Sequence, residues 1–97
     1  MNLNIRGVHY TPSEETMEFF NKKFRKLAFA EDFLHDLDVT VTKQTAGQGF
    51  HIDAKLHFKW GNEKMVSYDC YEIYEGIELI ADKIEATAKK EKSKISR

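Results

Sequence analysis

The chain has 97 residues, enough for one hydrophobic core, since a domain of this size buries about 60–70% of its unfolded surface. Its single cysteine, Cys70, excludes a disulfide framework and a thiol zinc site, and no apolar run approaches the roughly 20 residues that cross a bilayer. A formal net charge of −1 argues against a uniformly basic nucleic-acid binder, yet residues 83–97 carry six Lys/Arg against only Glu85 and Glu91.

The N-terminal MNLNIRGVHY lacks the basic and apolar regions of a signal peptide, so the cytoplasm is the expected location. Within it, NLNIRGV alternates around Leu3 and Ile5 and predicts a strand over residues 2–8. Thr11-Pro12-Ser13-Glu14 then opens a helix: Thr11 as cap, Pro12 at the first helical position, and Glu14 closing a capping box. The helix is expected to run to about Phe29, with Met17, Phe20, Phe24 and Leu27 on one face and Lys22, Lys23, Arg25 and Lys26 on the other. Glu14, Glu15 and Glu18 fill its first turns, a gradient that the helix macrodipole alone can explain.

Residues 30–35 read as a connection, and Leu37, Val39 and Val41 alternate with polar residues as a second strand. Lys43 to Gly49 is a hairpin loop; with no GK[ST] after it, it does not cradle phosphate. Phe50 to Lys59 is the clearest strand, with Phe50, Ile52, Ala54, Leu56 and Phe58 inward and His51, Asp53, Lys55 and His57 outward. Residues 60–63 turn, residues 64–68 form a fourth strand with Val66 and Tyr68 inward, and Asp69–Arg97 reads as the last helix. Ile73, Ile77, Ile80, Ile84 and Ala88 form its apolar stripe. Its charge runs from Glu72, Glu75, Glu78, Asp82 and Glu85 to Lys89, Lys90, Lys92, Lys94 and Arg97, and the acidic half is expected to face away from any bound phosphate.

The expected fold is therefore α+β, ordered β-α-β-β-β-α, a four-stranded sheet with two roughly parallel helices covering one face. Chemistry-bearing groups are sparse. His51 and His57 share a strand face but lie roughly 20 Å apart at about 3.3 Å per residue, and no metal site is expected. Acidic neighbours Asp69 and Glu72 would raise the Cys70 thiol rather than activate it. Tyr68, Tyr71 and Tyr74 are expected to pack the start of the last helix on the sheet edge. No catalytic residue, cofactor or small-molecule substrate is indicated. Two basic helix ends on one side of a sheet would instead make a surface suited to an A-form RNA backbone, read by shape and phosphate.

Several stretches together resemble the bacterial ribosome hibernation-promoting factors, the family that includes ribosome-associated inhibitor A and the sigma-54 modulation proteins. They are Met1-Asn2-Leu3-Asn4-Ile5, Thr11-Pro12, Lys22-Lys23-Phe24-Arg25-Lys26-Leu27 and the Phe50–Phe58 strand. Glu72-Ile73-Tyr74-Glu75-Gly76-Ile77 and Asp82-Lys83-Ile84-Glu85, with the basic residues after it, complete the set. The resemblance covers essentially the whole chain. It implies a fold akin to double-stranded-RNA-binding domains and binding to small-subunit rRNA in the decoding channel, over the tRNA and mRNA sites. It implies inhibition of translation and preservation of idle ribosomes during stress or stationary phase. The rRNA contacts it implies are Lys22, Lys23, Arg25, Lys26, Lys83, Lys89, Lys90, Lys92 and Lys94, with Arg97 by position. Ala86 and Thr87 stand where the family carries an Arg, and Glu75 and Glu78 are more acidic than its habit; both bear on affinity. The chain reads as a short form, one ribosome-binding domain over residues 1–97 without a C-terminal dimerisation domain, and as a monomer off the ribosome. The alternatives are a generic double-stranded RNA-binding module and an acylphosphatase-like enzyme, for which Arg6-Gly7-Val8 is a poor phosphate cradle.

Overall fold

The computed structural model describes residues 1–44 and 49–95. In chain order the elements are β1 (Asn2–Val8), α1 (Glu14–Phe24), a 3₁₀ helix (Arg25–Ala30), β2 (Leu34–Lys43), β3 (Phe50–Phe58), β4 (Glu63–Cys70) and α2 (Ile73–Ile95). The sheet order is β1-β2-β3-β4, with β1 parallel to β2 and the other neighbours antiparallel. A parallel pair needs a crossover connection, which α1 supplies.

The alternation read from the strands sets the layers. Leu37, Val39 and Val41 of β2 and Ile52, Ala54, Leu56 and Phe58 of β3 are buried together with Ile77, Ile80, Ile84 and Ala88 of α2. Each such Leu or Ile contributes about 1.5–3 kcal/mol by leaving water. Gly76 lets α2 pass close over the sheet, because a Cβ there would stand 2.3 Å from Cys70 Sγ and 2.9 Å from Ile52 Cδ1.

Several boundaries differ from the sequence expectation. Ser13, not Thr11, caps α1: its backbone is extended and its hydroxyl accepts the Thr16 N–H at 3.1 Å. A cap must reach the second or third amide of the helix, and Thr11 lies too far upstream of Glu14 to do so. Thr16 also shares a 2.9 Å hydrogen bond with the Ser13 hydroxyl and is buried, while Met17 is only half-buried. The α-helix stops at Phe24, and residues Arg25–Ala30 continue as a 3₁₀ helix. Three residues per turn stack side chains at a spacing of three, which aligns Leu27 and Ala30, both fully buried, behind Phe24. Leu34, placed in a connection by the sequence, opens β2, and a register irregularity between Leu34 and Asp36 lets Leu34 and Leu37 both face the core. Asp69 and Cys70 are paired with His51 and Phe50 in β4, so α2 begins at Ile73 rather than Asp69. Gln44 N–H donates to Gly49 O at the base of the β2–β3 hairpin, and the rest of that loop, 45–48, lies outside the described residues.

Buried Glu91 joins the end of α2 to the β3–β4 turn. It accepts from Lys94 at 3.1 Å and from Asn62 at 3.4 Å, with Lys64 at 3.9 Å. The Lys94 hydrogen bond is the main cause holding its carboxyl below the usual carboxylate range. Glu91→Ala therefore removes the partner of three groups at once, whereas Glu85→Ala removes only surface pairs. In thermal melts followed by circular dichroism, Glu91→Ala is expected to lower Tm more than Glu85→Ala does. Equal melting temperatures would show that the buried carboxylate does not hold the turn.

Candidate nucleic-acid interface

The two helices run parallel. Phe19 meets Tyr74 edge-to-face at 4.6 Å between ring centroids, Lys23 pairs with Glu78 at 3.0 Å, and Lys26 pairs with Asp82 and, at 3.7 Å, with Glu85. Residue numbers rise together along this seam, so the C-terminal ends of α1 and α2 lie at the same end of the molecule. That order continues into the 3₁₀ helix and beyond: Lys89 Nζ stands 5.6 Å from the centre of the Phe29 ring and Lys92 Nζ 5.1 Å from that of Phe33.

A groove of about 400 Å³ between the helices is lined by Lys22, Lys23, Arg25 and Lys26 from one side and by Glu78, Ala81 and Asp82 from the other. Glu85 links it to the end of α2, with one carboxylate oxygen 3.7 Å from Lys26 and the other 3.6 Å from Lys89. Cations from both helices thus meet across one carboxylate. The acidic half of α2 does not turn away from the cations of α1 and the 3₁₀ helix; Glu78, Asp82 and Glu85 face Lys23 and Lys26. The hydrogen bond that Lys26 donates to Asp82 is the largest influence raising its ammonium above the ordinary value. Exposed pairs of this kind are worth only about 0.2–1 kcal/mol each, so a phosphate can displace them at small cost.

The cations named from the sequence divide into groups. Lys22, Arg25 and Lys90 are exposed and make no ion pair among the described residues. Exposed Lys92 leans on the Phe33 ring. Lys23, Lys26 and Lys89 are engaged with carboxylates along the helix seam. Lys83 is on another flank: its ammonium donates to Ser67 O at 3.0 Å and lies 5.6 Å from the Tyr68 ring centre, beside β4. Lys94 bonds Glu91. Arg97 lies outside the described residues. Sequence reasoning missed Phe29 and Phe33 beneath Lys89 and Lys92, and Phe33 is stacked in turn on Trp60 at 5.8 Å. Their four-residue spacing was a visible signal, but it runs from the end of the expected helix into the connection after it.

The polar sheet face offers a contrast. Asp36, Asp38, Asp53, Glu63 and Asp69 outnumber Arg6 and Lys55 there, which disfavours phosphate. His51 sits between two of these carboxylates, Nδ1 2.5 Å from Asp69 and Nε2 2.9 Å from Asp53. The Asp69 hydrogen bond, ahead of the opposing effect of burial, and then Asp53 raise its imidazolium above the usual value of 6.5. A raised folded-state value gives stability that is complete below the unfolded value of about 6.5 and is lost as pH rises through the folded one. Tm is thus expected to decline on the alkaline side of 6.5, and Asp69→Asn to flatten that decline. An NMR titration of the His51 ring that finds an unraised midpoint would rule the clasp out. Burial is the largest influence pushing the Cys70 thiol up, followed by Glu75, Asp69 and Glu72. Among the described residues no group of three or more His, Cys, Asp or Glu is arranged to hold a metal ion, and no helix is long and apolar enough to cross a membrane. Tyr68 and Tyr74 pack against the core as expected, but Tyr71 is 80% exposed.

A family model described as "Sigma 54 modulation protein / S30EA ribosomal protein" matches residues 3–96. The chain belongs to that family. No curated protein matches the sequence significantly. Among solved structures, a ribosomal subunit interface protein from Coxiella burnetii is similar with a TM-score of 0.83 at 17% identity, covering 96% of this chain and 99% of that one. The N-terminal domain of Protein Y from Thermus thermophilus is similar with a TM-score of 0.77 at 16% identity, covering 93% and 98%. At such identities the likeness carries the fold: the α+β, β-α-β-β-β-α order with both helices on one sheet face. The family itself is ribosome-associated, as the sequence resemblance indicated.

Proposed function

We propose that this protein is a non-catalytic translation silencer, a monomer off the ribosome, that binds small-subunit rRNA in the decoding channel with the basic end of its helix pair. Occupying the tRNA and mRNA sites, it inhibits translation and preserves idle ribosomes in the cytoplasm during stress or stationary phase. The observation that carries this reading is the parallel register of α1 and α2, which brings Lys26 and Lys89 to the same Glu85 and gathers Lys22, Arg25, Lys90 and Lys92 at one end. Family membership supplies the ribosome as partner. Exposed lysines and an arginine on the helix surface match phosphates by charge.

Co-sedimentation with small subunits over a series of salt concentrations tests it. About five phosphate contacts predict a log–log slope of affinity on salt near −3 to −4. Salt-independent association, or equal affinity for a random RNA duplex, would overturn the proposal.

A further inference from the structure

The opposite end of the helix pair has a different chemistry. There a groove of about 430 Å³ is lined by Glu15, Glu18, Phe19 and Tyr74, with Lys22, which also lines the basic groove, on the border between the two. Its floor is the edge-to-face pair of Phe19 and Tyr74, both half-buried. Glu15 and Glu18 wall it and, unlike Glu78, make no ion pair among the described residues.

An aromatic floor with two unpaired carboxylates against the one bordering ammonium of Lys22 disfavours phosphate and suits a cation carried on an apolar stem. The molecule already displays this mode of recognition beside the groove. Lys23 Nζ lies 5.3 Å from the centre of the Phe19 ring while its charge is met by Glu78 at 3.0 Å. Guanidinium groups do the same more effectively, stacking flat on a ring while forking to a carboxylate. The macrodipole accounts for carboxylates in the first turns of α1 and α2, but not for an open aromatic floor between them.

We propose that the Phe19–Tyr74 groove is a docking site for a basic protein segment, an extended peptide in which arginine or lysine alternates with apolar residues. A cation lies over Tyr74 or Phe19 and is met by Glu15 or Glu18, and the adjacent apolar side chain covers the rest of the floor. The helix pair is then bipolar, one end for phosphate and the other for a cationic polypeptide, so both contacts can be made at once.

The test is fluorescence anisotropy with a labelled alternating arginine–leucine nonapeptide at low salt, together with amide chemical-shift mapping on ¹⁵N-labelled protein. Glu15→Gln with Glu18→Gln is expected to weaken binding about tenfold or more, since each removes a charged partner of the bound cation. Tyr74→Ser is expected to lose binding while Tyr74→Phe keeps it, which separates the ring from its hydroxyl. Asp36→Asn with Asp38→Asn, on the far sheet face, should leave binding unchanged. Shifts should centre on residues 15–22 and 73–75. An equal loss from the Asp36/Asp38 variant, shifts spread over the sheet face, or no binding would overturn the proposal. Retained binding by a Tyr74→Ser variant that melts like wild type would overturn it too.

Discussion

Replacing Lys22, Arg25, Lys90 and Lys92 together by Glu is expected to remove small-subunit association at physiological salt and to reduce the salt slope from about −3 or −4 to about −1. These four are exposed, and none has an ion-pair partner among the described residues, so reversing them breaks no salt bridge of the fold. Lys23 and Lys26 are poor choices for the same experiment. Glutamate at either position would face Glu78, Asp82 or Glu85, and like charges along the seam would loosen the helix pair. A loss of binding could then mean a disturbed fold. Each lost phosphate contact lowers the slope by slightly under one unit, and each new carboxylate adds repulsion, so affinity should fall by at least about a hundredfold. Sedimentation of the variant with small subunits at several salt concentrations reads both quantities. Wild-type affinity and slope in a variant with an unchanged melt would show that the basic end of the helix pair is not the ribosomal surface. Lys83→Glu and Lys94→Glu are the informative controls. Both side chains are held elsewhere, by Ser67 O and Glu91 respectively, and each should weaken binding far less than any of the four.

Gly7→Ala is expected to destabilise the fold by about 3 kcal/mol or more and to lower Tm by roughly 15 °C. After β1 the chain reverses sharply. His9 takes a left-handed φ of 56°, and the Tyr10 carbonyl folds back over Gly7. A Cβ on residue 7 would stand 1.8 Å from that backbone oxygen and 3.2 Å from Pro12 Cδ. A carbonyl cannot rotate away as a side chain can, so the whole turn must move by more than an ångström. That turn is anchored, because Tyr10 packs edge-to-face on Phe50 at 5.0 Å, at the start of β3. Moving it unseats the lead into α1 and the β3 end of the sheet together. Gly61→Ala is the contrasting case. Its φ is +98°, so alanine there is strained, but nothing lies within 4 Å of the new methyl, and the cost should stay near 1 kcal/mol. Thermal and denaturant melts of both variants check the difference. Equal losses would mean that close packing over Gly7 is not what fixes that residue.

Much of the fold was legible because local physics decides it. Strict alternation in Phe50–Phe58 can satisfy only a strand with one buried face, and a three-and-four stripe of isoleucines in Ile73–Ile95 can satisfy only a helix against a core. The misread boundaries fall where tertiary contacts outweigh local signals. Thr11-Pro12 is a sound helix start in isolation, but the Tyr10 turn occupies that stretch and leaves Ser13 to cap. Arg25–Ala30 has an unremarkable helical composition, yet burying Leu27 and Ala30 in line favours the tighter 3₁₀ winding. Asp69 begins an acidic run suited to a helix N-terminus, but its pairing with His51 keeps it in the sheet.

The candidate interface was legible in part, and for a clear reason. Charge type and helical phase are properties of the sequence, so the two basic ends were visible in Lys22–Lys26 and Lys89–Lys94. Which charge meets which is a property of the register between two helices about 55 residues apart in sequence, as the Lys23–Glu78 pair records. Nothing local encodes that offset; it follows from how the isoleucine stripe of α2 and the phenylalanines of α1 share one sheet. The sequence by itself determined the element order, the buried faces and the polarity of each helix. Only the tertiary structure decided that Lys23 and Lys26 spend their charge on Glu78, Asp82 and Glu85, that Lys83 turns to β4, and that Lys22, Arg25, Lys90 and Lys92 have no ion pair among the described residues. Short-range preferences act along one chain segment, whereas Coulomb pairing depends on distances that packing alone sets.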